Sequence, residues 1–398
     1  MRAFMISYGG GHCNIMKAVY AELSRKPDCD IVYLALTTAP RELSGINYVT
    51  ISEVAKKLPY YEEIIQLGEK YGLPWHKDSS GMKELDTICY YGIGMFDLIS
   101  KEGKFDAEKH FNEFNRKAFL PVKTMKNVLE QINPDVCIIT SSPRMELAAG
   151  LAADMLKIPV VRINDLPVTT KILHRCKLCV MNEWAKEYAI KKSGVPGASI
   201  VVTGQPAFNN IIVVGKEIIC KVNEKFKGER FQNTVTFFLE NGTDQQNELA
   251  LLYSIAAKRK NTSFIIKLHP NQDINDYNNP NLDNVFITKE SAVPILHISD
   301  LVITTFSTTG MEAAMLEKPL IVLNLNNLKF SPDYVEMGIA ISCTKSEELE
   351  DLISSILNNE SEELIKLQQN QKKFSFVNNA PGNVCKVIES EALKRDCF

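Results

Sequence analysis

The sequence predicts an α/β protein built of two doubly wound parallel-sheet domains facing each other across a cleft. Three observations predict it. Short apolar, β-branched runs alternate with stretches of helical periodicity along nearly the whole chain. Those runs are continuously apolar, which suits strands buried on both faces of a parallel sheet. Two such series occur, joined by an irregular stretch at 210–233, and 398 residues suffice for two ordinary domains.

The elements follow in order. AFMIS (3–7) reads as a strand, and SYGGGHC then hands it to a helix whose apolar face carries Ile15, Met16, Val19, Tyr20 and Leu23. DIVYLAL and INYVTIS are the next strands. A charge-rich helical insert runs from about 54 to 132, broken by the loop YGLPWHKDSSG at 71–81. DVCIIT (135–140) is a buried strand. Ser142 and Pro143 are expected to cap and open a helix through Leu156, because proline suits the first helical position. PVVRIND, LCVMN and SIVVT are strands, with the helix EWAKEYAIKKS after the second. The later series reads TVTFFLE, a helix through Ala257, SFIIKLHP, DNVFITK, DLVITTF and PLIVLNL. Ligands of such folds bind beyond the carboxyl ends of the strands, so two facing sheets place the site in the cleft between them.

Composition narrows the function. Hydrophobic residues are 45% and charged residues 23%, as in globular proteins, and the net charge of −3 supplies no global field for nucleic acid. Lys258-Arg259-Lys260 is a local basic cluster that reads as a solvated helix end. The ten cysteines are scattered through apolar runs, which suggests a reduced, cytoplasmic protein. The pair Cys176 and Cys179 has no partner pair or histidine at zinc-finger spacing and reads as structural. No apolar run reaches the roughly 18–20 residues that span a bilayer, and the start of the chain lacks a signal-peptide pattern. That leaves only peripheral membrane contact.

Four stretches could carry chemistry. In DLVITTFSTTGMEAAM a strand ends in Ser307-Thr308-Thr309-Gly310 and a helix begins. Free N–H groups and hydroxyls there suit an anionic phosphate. Glu312 is expected in the first turn. The plainer reading makes Ser307–Thr309 an N-cap and Glu312 its capping-box partner. KLHPNQD puts His269 at a strand's carboxyl end, where it either faces a ligand or ties down its own loop. Glu240-Asn241-Gly242-Thr243 is a strand-to-helix turn with Asp244 as candidate cap. Asp165 closes another strand, as a hydrogen-bonding group or a turn cap. Trp75, His76, Tyr90 and Tyr91 could stack on a sugar, although packing accounts for each. Asp28-Cys29-Asp30 is a DxD spacing in a surface turn and is set aside as a metal site.

These stretches, with VTGQPAFN (202–209), resemble the nucleotide-sugar enzymes of the GT-B superfamily. That group includes UDP-N-acetylglucosamine 2-epimerases, the peptidoglycan N-acetylglucosaminyltransferase, and capsule or CDP-glycerol transferases. The resemblance implies two Rossmann-like domains: an acceptor domain at 1–215, a nucleotide-sugar domain at 216–380, and a terminal helix at 381–398 packing back on the first. It implies that Ser307, Thr308, Thr309 and Gly310 hold a donor diphosphate, with Gly242 and His269 beside it and Glu312 on the ribose hydroxyls. It implies His12 as catalytic base, with Glu240 a candidate acid and Gly10, Gly11 and Asp165 on the acceptor side.

The expected activity is a metal-independent, inverting transfer from a nucleotide-sugar, UDP-sugar favoured, to a hydroxyl of a glycan or lipid-linked acceptor in surface polysaccharide or glycoconjugate synthesis. The nucleotide-sugar is a substrate, and no cofactor, metal or nucleic acid partner is expected. Alternatives are a UDP-N-acetylglucosamine 2-epimerase, a CDP-glycerol or CMP-sugar transferase, and a non-catalytic GT-B binding protein. The epimerase ranks second because SYGGGH and FLENGTD depart from the Gly-Thr-Arg-Pro-Glu loop and His-Arg-x-Glu-Asn element of those enzymes.

Overall fold

The computed structural model describes residues 1–77, 82–168, 173, 175–208, 214–240, 244–269, 271–278, 280–329, 333–360 and 362–395. They form two units: 1–209 together with 377–398, and 210–376.

The first unit is wound on a seven-stranded sheet in the order β3-β2-β1-β4-β5-β6-β7. Its strands are β1 (Arg2–Ser7), β2 (Asp30–Ala35), β3 (Val49–Thr50), β4 (Val136–Thr140), β5 (Val160–Ile163), β6 (Cys176–Val180) and β7 (Ile200–Val202), all paired parallel. β1 shows why its residues make a central strand. Phe4 and Ile6 pack into the core on one face, Ala3 and Met5 into the core on the other. The larger of these, Phe4, Met5 and Ile6, each contribute about 1.5–3 kcal/mol by leaving water. One face is covered by helix Gly11–Leu23, through Ile15, Met16, Val19 and Leu23, and by the last helix, Ala380–Ala392, through Val384, Cys385 and Ile388. Lys26 pairs with Glu389 across the same packing. The other face is covered by the helical insert and by helix Met145–Met155.

The second unit carries a six-stranded parallel sheet in the order β10-β9-β8-β11-β12-β13. Its strands are β8 (Asn233–Phe238), β9 (Thr262–Lys267), β10 (Val285–Thr288), β11 (Leu301–Thr304), β12 (Leu320–Leu323) and β13 (Ile341–Cys343). Both units are therefore doubly wound. The chain steps outward from β1 and β8, then returns to add β4 and β11 on their other sides. The strand order reverses at β1/β4 and at β8/β11, the switch points where such sheets bind ligands.

Four local expectations are corrected. INYVTIS yields only the two-residue β3, because Thr50 caps a helix at Ile51–Ala55 through a capping box with Glu53. The stretch 210–233 is not wholly irregular, since Lys216–Phe226 is a helix anchored by buried Val222 and Phe226. β13 was not anticipated, being a three-residue run, ISC, too short for a periodic signal. Ser142 and Pro143 do not open the next helix. It starts at Met145, behind Arg144, whose backbone takes φ 72°.

Candidate functional site

In the second unit, the loops after β8, β9, β10 and β11 enclose a pocket of about 680 Å³, within the range of small-molecule sites. Glu240, His269, Ser307, Thr308, Thr309 and Glu312 all line it. β8 delivers Glu240 to the switch point. There its Oε1 accepts from the Phe306 amide at 2.9 Å and the Thr304 hydroxyl at 3.1 Å, tying the β8 loop to the β11 loop. Burial raises its pKa against the opposing pull of those donors. Gln245 and Gln272 clasp the same residue through its N–H at 2.7 Å and its carbonyl at 2.8 Å.

The helix Thr308–Met315 begins directly after β11. Ser307 is its N-cap, accepting from the Thr309 amide at 3.3 Å. Gly310 does not line the pocket. A Cβ there would meet Tyr334 Cε2 at 2.8 Å, and the Tyr334 hydroxyl donates to the Ser307 carbonyl at 3.0 Å. Gly310 therefore lets Tyr334 brace the turn from behind. Glu312 lies a full turn in rather than in the first turn, so it makes no capping box. Its carboxyl has no hydrogen bond or ion pair among the described residues, and burial alone pushes it up to about 7. A half-buried carboxyl without a protein partner among the described residues is costly to keep charged. His269 turns its Nδ1 to the Asn271 amide at 3.2 Å, while its own N–H donates to Gln272. That bond fixes the proton on Nε2. Gly242 lies outside the described residues.

The sequence reading missed two cations here. Lys267 and Lys289 both line the pocket. Lys267 is buried at 6% exposure and donates only to the Leu268 carbonyl among the described residues. Burial and then Lys289 lower its pKa. A lysine ending a buried strand, in KLHP, was the available signal.

The first unit repeats the arrangement at β1/β4. Gly10 takes φ 73° as the N-cap of helix Gly11–Leu23, and its N–H donates to Glu42 at 2.7 Å. A side chain at Gly10 or Gly11 would meet nothing within 4 Å, so the loop is open beside both. His12 sits in the first turn. Its Nδ1 lies 2.7 Å from the Thr140 hydroxyl at the end of β4, and its Nε2 lies 3.8 Å from Asp165 after β5. That last separation is too long for a hydrogen bond. Burial lowers the His12 pKa, Asp165 opposes and Arg144 assists. Ser141 donates to Asp165, and the Leu166 amide adds a bond at 3.0 Å, so Asp165 is both held in place and a turn cap.

Beneath them lies Glu146, fully buried on the helix after β4 and absent from the sequence reading. It accepts from the Tyr8 amide at 3.0 Å, the Thr140 amide at 2.9 Å and the Thr140 hydroxyl at 2.5 Å. A single carboxylate in the otherwise apolar MELAAGLAA was its signal. Tyr90 and Tyr91 are core residues, Tyr90 bonding Tyr8 at 2.9 Å, and leave no face for a sugar. Trp75 is exposed, and the His76 Nδ1 lies 2.9 Å from the Thr87 hydroxyl. No helix of the described residues is long and apolar enough to cross a membrane.

No protein-family model matches this chain, and no curated protein matches it in sequence. Solved structures do match over the full length. The UDP-GlcNAc 2-epimerase of Neisseria meningitidis, solved with UDP-GlcNAc, superposes with a TM-score of 0.58 at 15% identity, covering 99% of this chain and 100% of that one. The kitacinnamycin glycotransferase gives 0.56 at 11%, covering 98% of each. A glycosyltransferase of Rickettsia africae gives 0.51 at 13%, covering 99% and 98%. At such identities the likeness establishes the architecture. The chain has the two-domain α/β fold of GT-B type that these enzymes share.

Proposed function

We propose that this protein is a nucleotide-sugar glycosyltransferase, UDP-sugar favoured, acting on a hydroxyl of a glycan or lipid-linked acceptor. The observation that carries the reading is the pocket of the second unit. It gathers two lysines, a histidine N–H, a helix start rich in hydroxyls, and an unpartnered carboxyl around one space. Cations and helix-start donors suit a diphosphate, and they stabilise the negative charge that develops as it leaves. Glu312, with no bond of its own among the described residues, suits the paired hydroxyls of a ribose. The charge is met by protein groups, so the reading assigns no metal.

The base is His12. With Nδ1 engaged by Thr140, Nε2 is the nitrogen that accepts the acceptor hydroxyl's proton, and the Asp165 carboxylate, 3.8 Å from it, favours the proton's arrival. The hydroxyl oxygen bonds to the anomeric carbon as the bond to the diphosphate breaks. One such displacement inverts the centre. Glu240, bridging Thr304 and Phe306, shapes the pocket wall, and its elevated pKa suits the acid role.

A 2-epimerase is the second reading, favoured by the full-length match to the Neisseria enzyme. A thermal-shift panel of UDP, CDP, CMP, GDP and dTDP sugars tests the donor, because a ligand of the folded state raises the melting temperature. Stabilisation by UDP-sugars supports the reading, and by CMP- or CDP-compounds alone redirects it. NMR of UDP-N-acetylglucosamine with enzyme alone separates the two activities. Appearance of N-acetylmannosamine rejects the transferase.

A further inference from the structure

One buried titratable group has no part in the reaction just described. Glu146 is the only fully buried carboxyl among the described residues of the first unit's switch point, and it joins three elements there. Its Oε1 receives the Tyr8 amide of the β1 loop. Its Oε2 receives both the amide and the hydroxyl of Thr140. Two of these donors are backbone N–H groups and cannot turn away. The Thr140 hydroxyl has one proton, and that proton is spent on Glu146. Its oxygen then faces His12 Nδ1 at 2.7 Å only as an acceptor, so Nδ1 carries the hydrogen and Nε2 is bare.

We propose that Glu146 is a positioning residue that holds His12 in the Nδ1–H tautomer through the Thr140 hydroxyl, and that protonation of Glu146 reverses this chain and swaps the tautomer. The consequence for transfer rests on His12 being the base, as read above. In the reversed chain the Glu146 carboxyl donates to Thr140 Oγ1, whose own proton turns to Nδ1, and the imidazole hydrogen sits on Nε2. The two states differ by one proton. A proton arriving at Nε2 moves the Nδ1 proton to Thr140 and the Thr140 proton to Glu146, so the imidazole stays neutral and Glu146 ends protonated.

The surroundings favour that outcome. Burial pushes Glu146 up to about 7, its hydrogen bonds oppose, and Asp165 raises it further. Burial also disfavours the imidazolium of His12. The other ionisable groups facing Glu146 are Tyr33 from β2 and Arg162 from β5. The Tyr33 hydroxyl bonds Ser7 at 2.6 Å, and burial raises its pKa, so it stays neutral across this range.

Two-bond proton–nitrogen correlation spectra of the full chain labelled with ¹⁵N-histidine read the tautomer directly. His12 is assigned by the signal lost in His12→Gln. Above pH 7 the wild type should show a protonated Nδ1 and a bare Nε2, and the two should exchange character as pH falls through about 7. Thr140→Val should give the Nε2–H form at every pH, and Thr140→Ser should restore the wild-type pattern. An Nε2–H form in the wild type at pH 8, an unchanged Thr140→Val, or acidification that protonates both nitrogens would overturn the proposal. Because this is read in the resting protein, its failure is distinct from failure of the transferase reading, which shows as undiminished turnover in His12→Ala.

Discussion

The two units solve one topological problem in two ways. Each is doubly wound, each reverses its strand order once, and in each a buried glutamate bridges the gap between the two strands at the reversal. In the first unit the bridge is Glu146, reaching from the helix after β4 back to the β1 loop. In the second it is Glu240, reaching from the β8 loop to the end of β11. The difference lies in what surrounds the bridge. Glu146 is sealed and touches a histidine through one hydroxyl, which is an arrangement for moving a proton. Glu240 is in the wall of a pocket with Lys267, Lys289 and a hydroxyl-rich helix start, which is an arrangement for holding an anion. On the proposed reading, one frame serves a proton or a phosphate, according to whether its bridging carboxylate faces an imidazole or cations.

That division of labour can be broken by substitution. His12→Ala should give the largest effect, a loss of about 10²–10⁴-fold in turnover, with nucleotide affinity unchanged. Steady-state kinetics beside a binding titration show the split. Turnover at the wild-type rate with saturating donor removes His12 as base.

On the other side, Lys267→Met should weaken nucleotide binding by about 1.5–3 kcal/mol, the scale of a charged hydrogen bond. Lys289→Met should cost less, since Lys289 is exposed and screened. If both variants bind UDP as the wild type does, the pocket is not the anion site.

Glu312 sharpens the comparison through pH. Its folded-state pKa of about 7 lies above the ordinary 4.5, so the contribution of Glu312 to the free protein's stability is full below about 4.5 and is lost as pH rises through 7. The ionised form is the one that accepts two ribose hydroxyls. Affinity for UDP-N-acetylglucosamine should therefore be full above 7 and decline as pH falls through it. Glu312→Gln should abolish that dependence and, at pH 8, raise the melting temperature of the free protein. A flat wild-type affinity from about pH 5 to 8 sinks this role.

The smallest effect concerns the turn itself. Gly310→Ala should cost about 1–3 kcal/mol in stability by overpacking against Tyr334, measured by urea denaturation. No loss would show that Tyr334 can move aside.

Much of this frame was legible in the sequence, because buried parallel strands announce themselves as apolar runs, and twelve of the thirteen strands of the described residues fall in such runs. The ligand-facing ends of the strands were legible too, since polar residues such as His269 and Ser307 follow those runs directly. What escaped was what depends on depth. Glu146 lies within an apolar helix sequence, and only the fold reveals that two fixed amides and a threonine justify it. Lys267 passed as one residue of the strand SFIIKLHP, because its burial beside a second lysine needs β10 to be placed next to β9. The helix expected at Ser142-Pro143 starts later because the Arg144 backbone takes φ 72°, a conformation that residue type does not announce.

The claim that the second unit holds the nucleotide while the first supplies the base is tested most directly by calorimetric titration of UDP into three proteins. The account predicts equal affinity for wild type and His12→Ala, and affinity lower by about 1–3 kcal/mol for Glu312→Ala. Weak binding by His12→Ala, or undiminished binding by Glu312→Ala, would contradict it.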